Sequence, residues 1–488
     1  MYKELSKEDQ TKIKLYFKEL NKRINLTPKD KKRINRDFNN IITYYLQENI
    51  PLDKALKLID LDYLGNAYKL EERWYPLDTS SKIYPFSMNH NWMSTFRVSY
   101  YLKEDIISEV LQVALNFTIN RFPIFKTSIR RGLFWYYLDN VITRVPVVEE
   151  NELPLSNINI SKVGKVAFKV VYFRNRISCE FFHMLTDGTG GKIFTTTLVN
   201  EYIRLLGNKV TYNETALDIK EEPPIEETID EFQKEYQTID EESKLIASKA
   251  LKIDGKRTSV GINKIIHYDL DCHKLHDLAS SKNVTINTYL TAIIFKVLAK
   301  NISKEGDIKI QIPVNLRKYF ASKTLRNFAL YDNVVIPKEK CNNLDYLIKE
   351  VDKQIKDKLS KPKMENLLVG STRLVNKLNL IPIFLKRPIA YLISNKLAEK
   401  GTTTVFSNLG LVDLPPSFQK QVLKGDFILG TTSANKELFS LITVNDTATF
   451  TMSKFSVNNR VELDFYQLFK DLDILIEIHG SDNYDNKA

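Results

Sequence analysis

The strongest constraint on the fold is an apolar strand pattern that passes through a glycine-rich turn into an apolar helix pattern. Residues 177–182 are typical of a buried strand, and Gly188, Gly190 and Gly191 follow after a short turn. Apolar side chains then recur at helical spacing as far as Leu205, and another glycine follows as a C-terminal cap. A buried strand joined so closely to a buried helix predicts a sheet covered by helices.

Helix and strand patterns are mixed along the rest of the chain and do not alternate strictly. Helical periodicity covers residues 1 to about 70 and returns at 285–298, while 214–257 combines adjacent prolines with an acidic run. This order predicts an α+β fold, with 214–257 as a charged connector between two larger parts. The strand patterns are at 96–102, 166–173, 264–270, 308–314, 402–406, 438–444 and 447–455.

Length and composition predict a globular protein with large cores. The chain has 488 residues, of which 43% are hydrophobic and 11% aromatic. Cys179, Cys272 and Cys341 are too few and too far apart for a disulfide framework. No stretch reaches the roughly 18 apolar residues of a membrane span, and the charged first 20 residues have no signal-peptide core. We therefore expect a soluble, reduced and cytoplasmic protein.

The chain is basic, with 71 Lys and Arg residues against 60 Asp and Glu residues and a formal net charge of +11. Such a charge suits nucleic acid, an anionic membrane surface or a phosphate-bearing ligand. The sequence has no zinc-finger spacing and no RNA-binding aromatic motif, so we expect no nucleic-acid partner. Residues 373–400 mix apolar and basic side chains, which fits an acyl groove, membrane contact or two ordinary helices broken at Pro382 and Pro388.

His183 is one of only six histidines and stands where the strand pattern ends. An imidazole with a pKa near neutrality can take a proton from a hydroxyl or an amine. Asp187, in the following turn, could orient that imidazole or pair with an arginine. From these residues alone, a buried hydrogen-bonded histidine is an equally good interpretation. His273 and His276 have no further ligands at metal spacing, so we expect no metal site.

The pattern His183-x-x-x-Asp187-Gly188 resembles the HxxxDG motif of the CoA-dependent acyltransferase superfamily. This superfamily includes chloramphenicol acetyltransferases, condensation domains of peptide synthetases and alcohol acetyltransferases. The chain does not have the Asp-Phe-Gly-Trp-Gly signature of the plant branch. The likeness covers residues 72 to about 480 and is closest to bacterial alcohol-acetyltransferase-like proteins. The other segments that carry it are 73–78, 82–85, 284–290, 313–317, 325–328 and 406–410.

The resemblance implies an α+β fold of two chloramphenicol-acetyltransferase-like lobes, with a tunnel at their interface. Each lobe would be a mixed sheet flanked by helices. The first lobe, which carries the motif, would span 72–213, and the second would span 258–488. An acidic linker or crossover at 214–257 would join them, and residues 1–71 would be a helical N-terminal extension.

The resemblance also implies roles for individual residues. His183 would be the general base, with acyl-CoA as the donor, a small alcohol or amine as the acceptor and no permanently bound cofactor. Asp187 would be held by an arginine, for which Arg317 is the candidate. The backbone N–H of Gly188 would donate to the oxyanion, and Asn327 would belong to a loop under the tunnel.

Ser407 and Asn408 would bind the acyl-CoA thioester and donate to the oxyanion, and a turn capped by its own side chains is the competing interpretation. The implied function is ester formation from acyl-CoA, as in an alcohol acetyltransferase. Two alternatives stay open. One is a condensation-like transferase that takes its acyl group from a carrier protein, and the other is a non-catalytic scaffold that binds through residues 1–71.

Overall fold

The computed structural model describes residues 5–65, 74–84, 94–155, 165–236, 249–257, 264–386, 401–430, 435–457 and 459–480. Within them the chain is an α+β protein with one large sheet in each of two lobes, which confirms the predicted fold class. Arg73 and Pro85 of the family-like segments, and the second half of the basic stretch 373–400, lie outside the described residues.

The helices begin where the sequence offers capping side chains. The Ser6 hydroxyl accepts a hydrogen bond from the backbone N–H of Asp9, and Thr27 caps the next helix, which has Pro28 at its first position. The longer helices are Lys7–Arg23, Pro28–Gln47, Ser108–Thr118, Gly188–Leu205, Cys272–Ser281, Ile286–Lys300, Leu344–Lys358, Lys361–Lys377 and Arg460–Asp471. The shorter ones are Leu52–Leu58, Glu231–Tyr236 and Pro416–Gln419.

The first-lobe sheet has five described strands, and one of them comes from the far end of the chain. Val422–Leu429, here called the crossing strand, pairs antiparallel with Thr95–Leu102, with Phe427 opposite Val98. The range 258–488 therefore contributes a strand to the sheet of the first lobe. In spatial order the strands are Val422–Leu429, Thr95–Leu102, Arg176–Phe182, Phe168–Phe173 and Val147–Glu149.

The second-lobe sheet has seven described strands of mixed direction. Thr404–Leu411 runs parallel to both of its neighbours, and the other pairs are antiparallel. A smaller sheet of Trp74–Pro76, Tyr136–Asn140 and Thr127–Arg131 lies beside the first lobe. The second-lobe order is Ala329–Pro337, Asp307–Asn315, Thr404–Leu411, Glu437–Val444, Thr447–Lys454, Lys264–Asp271 and Leu475–Gly480.

The N-terminal helices share one hydrophobic core with the first lobe. The Phe38 ring packs edge-on against Phe117, with 5.7 Å between ring centroids. The Tyr45 hydroxyl donates to the carbonyl of Leu205 at 2.7 Å. The range predicted as a helical N-terminal extension therefore packs on the first lobe and shares its core. Among the described residues, no helix has both the length and the apolar character required to cross a bilayer.

Candidate active site

The turn after the strand Arg176–Phe182 is shaped by its glycines and by Asp187. Asp187 is the N-cap of the helix Gly188–Leu205, and its Oδ1 accepts hydrogen bonds from the backbone N–H groups of Thr189 and Gly190. A Cβ atom on Gly190 would lie 2.3 Å from the carbonyl oxygen of Leu325, so no larger residue fits there. This close approach joins the start of the helix to a loop of the second lobe.

His183 lies between two aromatic rings. Its imidazole stacks on Tyr84, with centroids 5.3 Å apart and planes at 16°, and it contacts Phe96 at 4.7 Å. Burial lowers the pKa of His183 to about 4, against the opposing effect of Asp187. The imidazole is therefore neutral at pH 7 and able to accept a proton.

The two ring nitrogens of His183 differ in their surroundings. Nδ1 is fully buried, and a hydrogen bond between the ring and the Thr186 backbone raises the pKa of His183 against the larger effect of burial. The residue as a whole is only half-buried. Because Nδ1 is inaccessible, Nε2 is the ring nitrogen left to meet a substrate. The main chain of His183 is held in place on both sides. Its backbone N–H donates to the carbonyl of Ser94 at 2.8 Å, and its carbonyl accepts from Asn327 Nδ2 at 3.1 Å.

Asp187 makes an ion pair with Arg317. Among the described residues, no hydrogen bond joins its carboxylate to the imidazole of His183. Arg317 Nη1 lies 2.7 Å from Asp187 Oδ2, and the two side chains are 11% and 5% exposed. The same Oδ2 accepts from the backbone N–H of Phe328 at 2.9 Å. Arg317 also donates to the carbonyls of Thr324 and Arg326. The pair is an organiser that joins the turn of the first lobe to loop 324–328 of the second.

Gly188 lies against the second-lobe strand Thr404–Leu411. A Cβ atom built on Gly188 would be 2.8 Å from Leu409 Cδ2, and Phe427 of the crossing strand is the next neighbour. Asn408 Oδ1 accepts from the N–H of Gly410 at 2.7 Å, which is the turn-capping interpretation of this residue. Ser407 is half-buried, and its hydroxyl has no hydrogen-bond partner among the described residues. The Ser407 hydroxyl and the Asn408 Nδ2 group are therefore both able to donate to a ligand.

Comparisons with solved structures identify the fold of this chain. No protein-family profile and no curated protein sequence matches the chain. Solved structures do match, among them TRI101 of Fusarium sporotrichioides in complex with coenzyme A and T-2, at a TM-score of 0.58 and 10% identity over 82% of this chain and 99% of that one. The chain has the acyltransferase and condensation-domain fold.

Two further matches are an acetyltransferase and a condensation domain. The TRI3 trichothecene 15-O-acetyltransferase of Fusarium sporotrichioides has a TM-score of 0.51 and 11% identity over 82% of this chain and 94% of that one. The first condensation domain of the calcium-dependent antibiotic synthetase has a TM-score of 0.54 and 10% identity over 84% and 100% of the two chains. These likenesses confirm the predicted two-lobed architecture.

In this acyltransferase and condensation-domain fold, sequence reasoning missed Tyr84, which stacks on His183, and its hydrogen-bond partner Tyr331. The Tyr84 hydroxyl lies 2.6 Å from that of Tyr331, which is on the second-lobe strand Ala329–Pro337. Burial raises the pKa of both phenols, so both stay protonated near neutral pH. Tyr84 stood inside a segment with family-like sequence, but nothing in its neighbours indicated contact with the histidine.

A group of candidate metal ligands occurs elsewhere on the fold. Within the described residues, Cys272, His273 and Asp446 bring one ligand atom each to within 4.8 Å of one another. His273 and Asp446 are exposed and already paired, with 3.1 Å between Nε2 and Oδ1. The group includes no residue of the His183 site, and the structure gives no independent sign of a metal there.

Proposed function

We propose that the chain is a CoA-dependent acyltransferase that transfers an acyl group to an alcohol, with His183 as its general base. The observation that carries this proposal is the state of the imidazole. It is neutral at pH 7 because burial lowers its pKa to about 4, and the burial of Nδ1 leaves Nε2 as the nitrogen through which the ring would meet a substrate. An uncharged, positioned nitrogen where the two lobes meet is what proton abstraction from a hydroxyl requires.

The proposed reaction is a direct transfer through a tetrahedral intermediate. The acceptor O–H donates its proton to His183 Nε2 while the oxygen attacks the thioester carbonyl carbon and forms the new C–O bond. The carbonyl oxygen then carries the negative charge. Collapse of the intermediate breaks the C–S bond, and the thiolate takes the proton back from the imidazolium. No covalent enzyme intermediate and no external co-reactant is needed.

The oxyanion needs hydrogen-bond donors that face it in advance. We propose the backbone N–H of Gly188, at the positive end of the helix Gly188–Leu205, as one donor. Ser407 is the second, because its hydroxyl is uncommitted among the described residues and it lies two residues before Leu409, which touches Gly188. Asn408 is a further candidate through its Nδ2 group, since only its side-chain oxygen is used to cap the turn.

A group of cations beside the turn supports an anionic donor such as acyl-CoA. Lys192 follows the motif on the helix Gly188–Leu205, and Lys318 approaches it from the second lobe, while the nearby Arg317 is already paired with Asp187. Burial and then the nearby Lys318 charge lower the pKa of Lys192. Lys318 is exposed to solvent. Like charges gathered in this way attract the phosphates of coenzyme A, and equally the phosphate of a carrier-bound pantetheine arm.

The test is thiol release from acetyl-CoA and longer acyl-CoAs with a panel of alcohols and amines. We expect His183→Ala to lower turnover by roughly 10²–10⁴-fold, the contribution of a general base. His276→Ala is the matched control, because that histidine is exposed and remote from the motif, and its turnover should be unchanged. Unaltered turnover in a folded His183→Ala protein would remove this residue from the mechanism.

The same assay separates the two alternatives. Transfer only from a carrier-protein-bound acyl group would favour a condensation-like enzyme, which shares the fold. Silence with both kinds of donor, in a wild-type protein of normal melting behaviour, would favour a non-catalytic scaffold. Amine acceptors in the panel decide between ester and amide formation.

A further inference from the structure

Five exposed apolar side chains form one surface where two chain segments meet. They are here called the apolar patch: Leu133 (64% exposed), Phe134 (39%), Leu380 (87%), Phe384 (58%) and Leu385 (50%). A water-exposed Leu or Phe is unremarkable when single, whereas a contiguous group indicates an interaction surface.

Hydrogen bonds between the segments hold the apolar patch together. The backbone N–H of Ile383 donates to the carbonyl of Leu133 at 2.9 Å, and Lys386 Nζ donates to the carbonyl of Phe134 at 2.8 Å. Trp135 Nε1 donates to Asn379 Oδ1, also at 2.9 Å. The tip of the hairpin Thr127–Asn140 and residues 379–386 are therefore one structural unit, although about 250 residues separate them in sequence.

Cations border the apolar patch. Arg131 and Lys377 are exposed, and within the described ranges neither side chain has an ion-pair partner. Lys386 lies over the Trp135 ring, 3.3 Å from its centroid, and burial with the nearby Lys82 charge lowers the pKa of Lys386 to about 8. Exposed apolar tips beside free cations and a tryptophan are the composition of a surface that enters an anionic lipid headgroup layer.

We propose that the apolar patch docks this protein onto the surface of an anionic lipid bilayer. A bilayer, rather than a second protein, is favoured for two reasons. Arg131 and Lys377 have no ion-pair partner within the described ranges, and the whole chain carries a formal charge of +11. The docking surface would hold the protein at the interface without crossing it.

The apolar patch is also linked to the surroundings of His183 through the segment 82–84. Lys82 Nζ lies 5.4 Å from the Trp135 ring centroid, and Tyr84, two residues further along, stacks on the imidazole. Docking would therefore bring the candidate site to lipid-dissolved alcohols or acyl chains. That consequence for the substrate rests on the proposed function, whereas the docking itself does not.

Two exposed apolar side chains elsewhere on the fold provide an internal control. Leu463 (61% exposed) and Ile476 (60%) belong to the helix Arg460–Asp471 and the strand Leu475–Gly480 of the second lobe. Neither belongs to the apolar patch, so replacing them removes a similar exposed apolar area and leaves the proposed docking surface intact. The two double variants therefore distinguish binding through the apolar patch from a general effect of surface hydrophobicity.

The experiment is co-sedimentation of the full chain with phosphatidylcholine vesicles, with and without phosphatidylglycerol. We expect binding that requires the anionic lipid and weakens with salt. The double variant Leu380→Ser/Phe384→Ser should lower the partition coefficient by roughly tenfold or more. Lys377→Gln should lower it roughly fivefold, the contribution of one surface cation. The control Leu463→Ser/Ile476→Ser and the variant His183→Ala should both bind like wild type.

Three outcomes would overturn the proposal. The first is wild-type binding by the Leu380→Ser/Phe384→Ser variant, and the second is equal loss of binding in the Leu463→Ser/Ile476→Ser control. The third is no vesicle binding together with a concentration-dependent dimer that the patch variant abolishes, which would assign this surface to a second copy of the chain. Because the assay contains no acyl donor, its failure would leave the acyltransferase proposal untouched.

Discussion

Replacing Asp187 with Asn tests whether this carboxylate organises the site or takes part in the chemistry. Its Oδ1 caps the helix Gly188–Leu205 through the N–H groups of Thr189 and Gly190. Its Oδ2 binds Arg317 and the N–H of Phe328. Asn is as good a helix cap as Asp, so the oxygen of the new amide can keep the first two bonds. The NH₂ group of the new Asn then faces the Arg317 guanidinium and the Phe328 N–H. It can accept a hydrogen bond from neither of these donors.

The energetic loss follows from those two donors. A hydrogen bond to a charged partner contributes about 1.5–3 kcal/mol, and leaving the buried Phe328 N–H unpaired costs about 1–3 kcal/mol. Arg317 keeps its bonds to the carbonyls of Thr324 and Arg326, which limits the damage. We therefore expect Asp187→Asn to lower the free energy of unfolding by about 3 kcal/mol and to lower turnover with it.

The assay is urea denaturation, read as a shift of the midpoint at constant slope, beside turnover of the same preparations. Asp139→Asn is the matched control, because its 3.2 Å pair with Arg130 is far more exposed, at 38% and 28%. We expect that control to lose less than about 1 kcal/mol. Lost turnover in an Asp187→Asn protein of wild-type stability would refute the organising role and indicate that the carboxylate acts directly on substrate.

Two further predictions concern the histidine and the N-terminal helices. Since the pKa of His183 is about 4, its base form is present throughout the neutral range, and kcat/KM should fall only as the pH drops toward that value. Tyr84→Ala admits water to the His183 ring and should move the acidic limb of the kcat/KM–pH profile toward about pH 6.5. Tyr84→Phe keeps the ring stack and should leave the profile unchanged. Deleting residues 1–71 should give insoluble protein, because Phe38 and Tyr45 belong to the first-lobe core; soluble, cooperatively melting product would contradict this.

Local patterns were enough to locate the catalytic candidate and most of its secondary structure. The strand Arg176–Phe182 and the helix Gly188–Leu205 follow directly from periodicity, and the rarity of histidine made His183 stand out. The pairing of Asp187 with Arg317 could be expected only through the resemblance. It joins side chains 130 residues apart, and no local rule of sequence specifies such a distance.

The features that sequence reasoning left undecided depend on tertiary packing, between the lobes or within the first one. Tyr84 and Tyr331 are 247 residues apart and reach each other only after both lobes have formed. The crossing strand Val422–Leu429 has an ordinary strand composition, and nothing in it indicates which of two sheets it joins. The N-terminal helices were recognisable, but their membership of the first core depends on tertiary packing.

The crossing strand also has a consequence for synthesis on the ribosome. Until Leu429 has been made, Thr95–Leu102 is an unpaired edge of the first-lobe sheet. At about 5–20 residues per second, the ribosome needs roughly 15–65 s to travel from residue 102 to residue 429. An open strand edge held for that time is a template for intermolecular pairing. Chaperone dependence should therefore concentrate on this interval, and chains that terminate before residue 422 should aggregate.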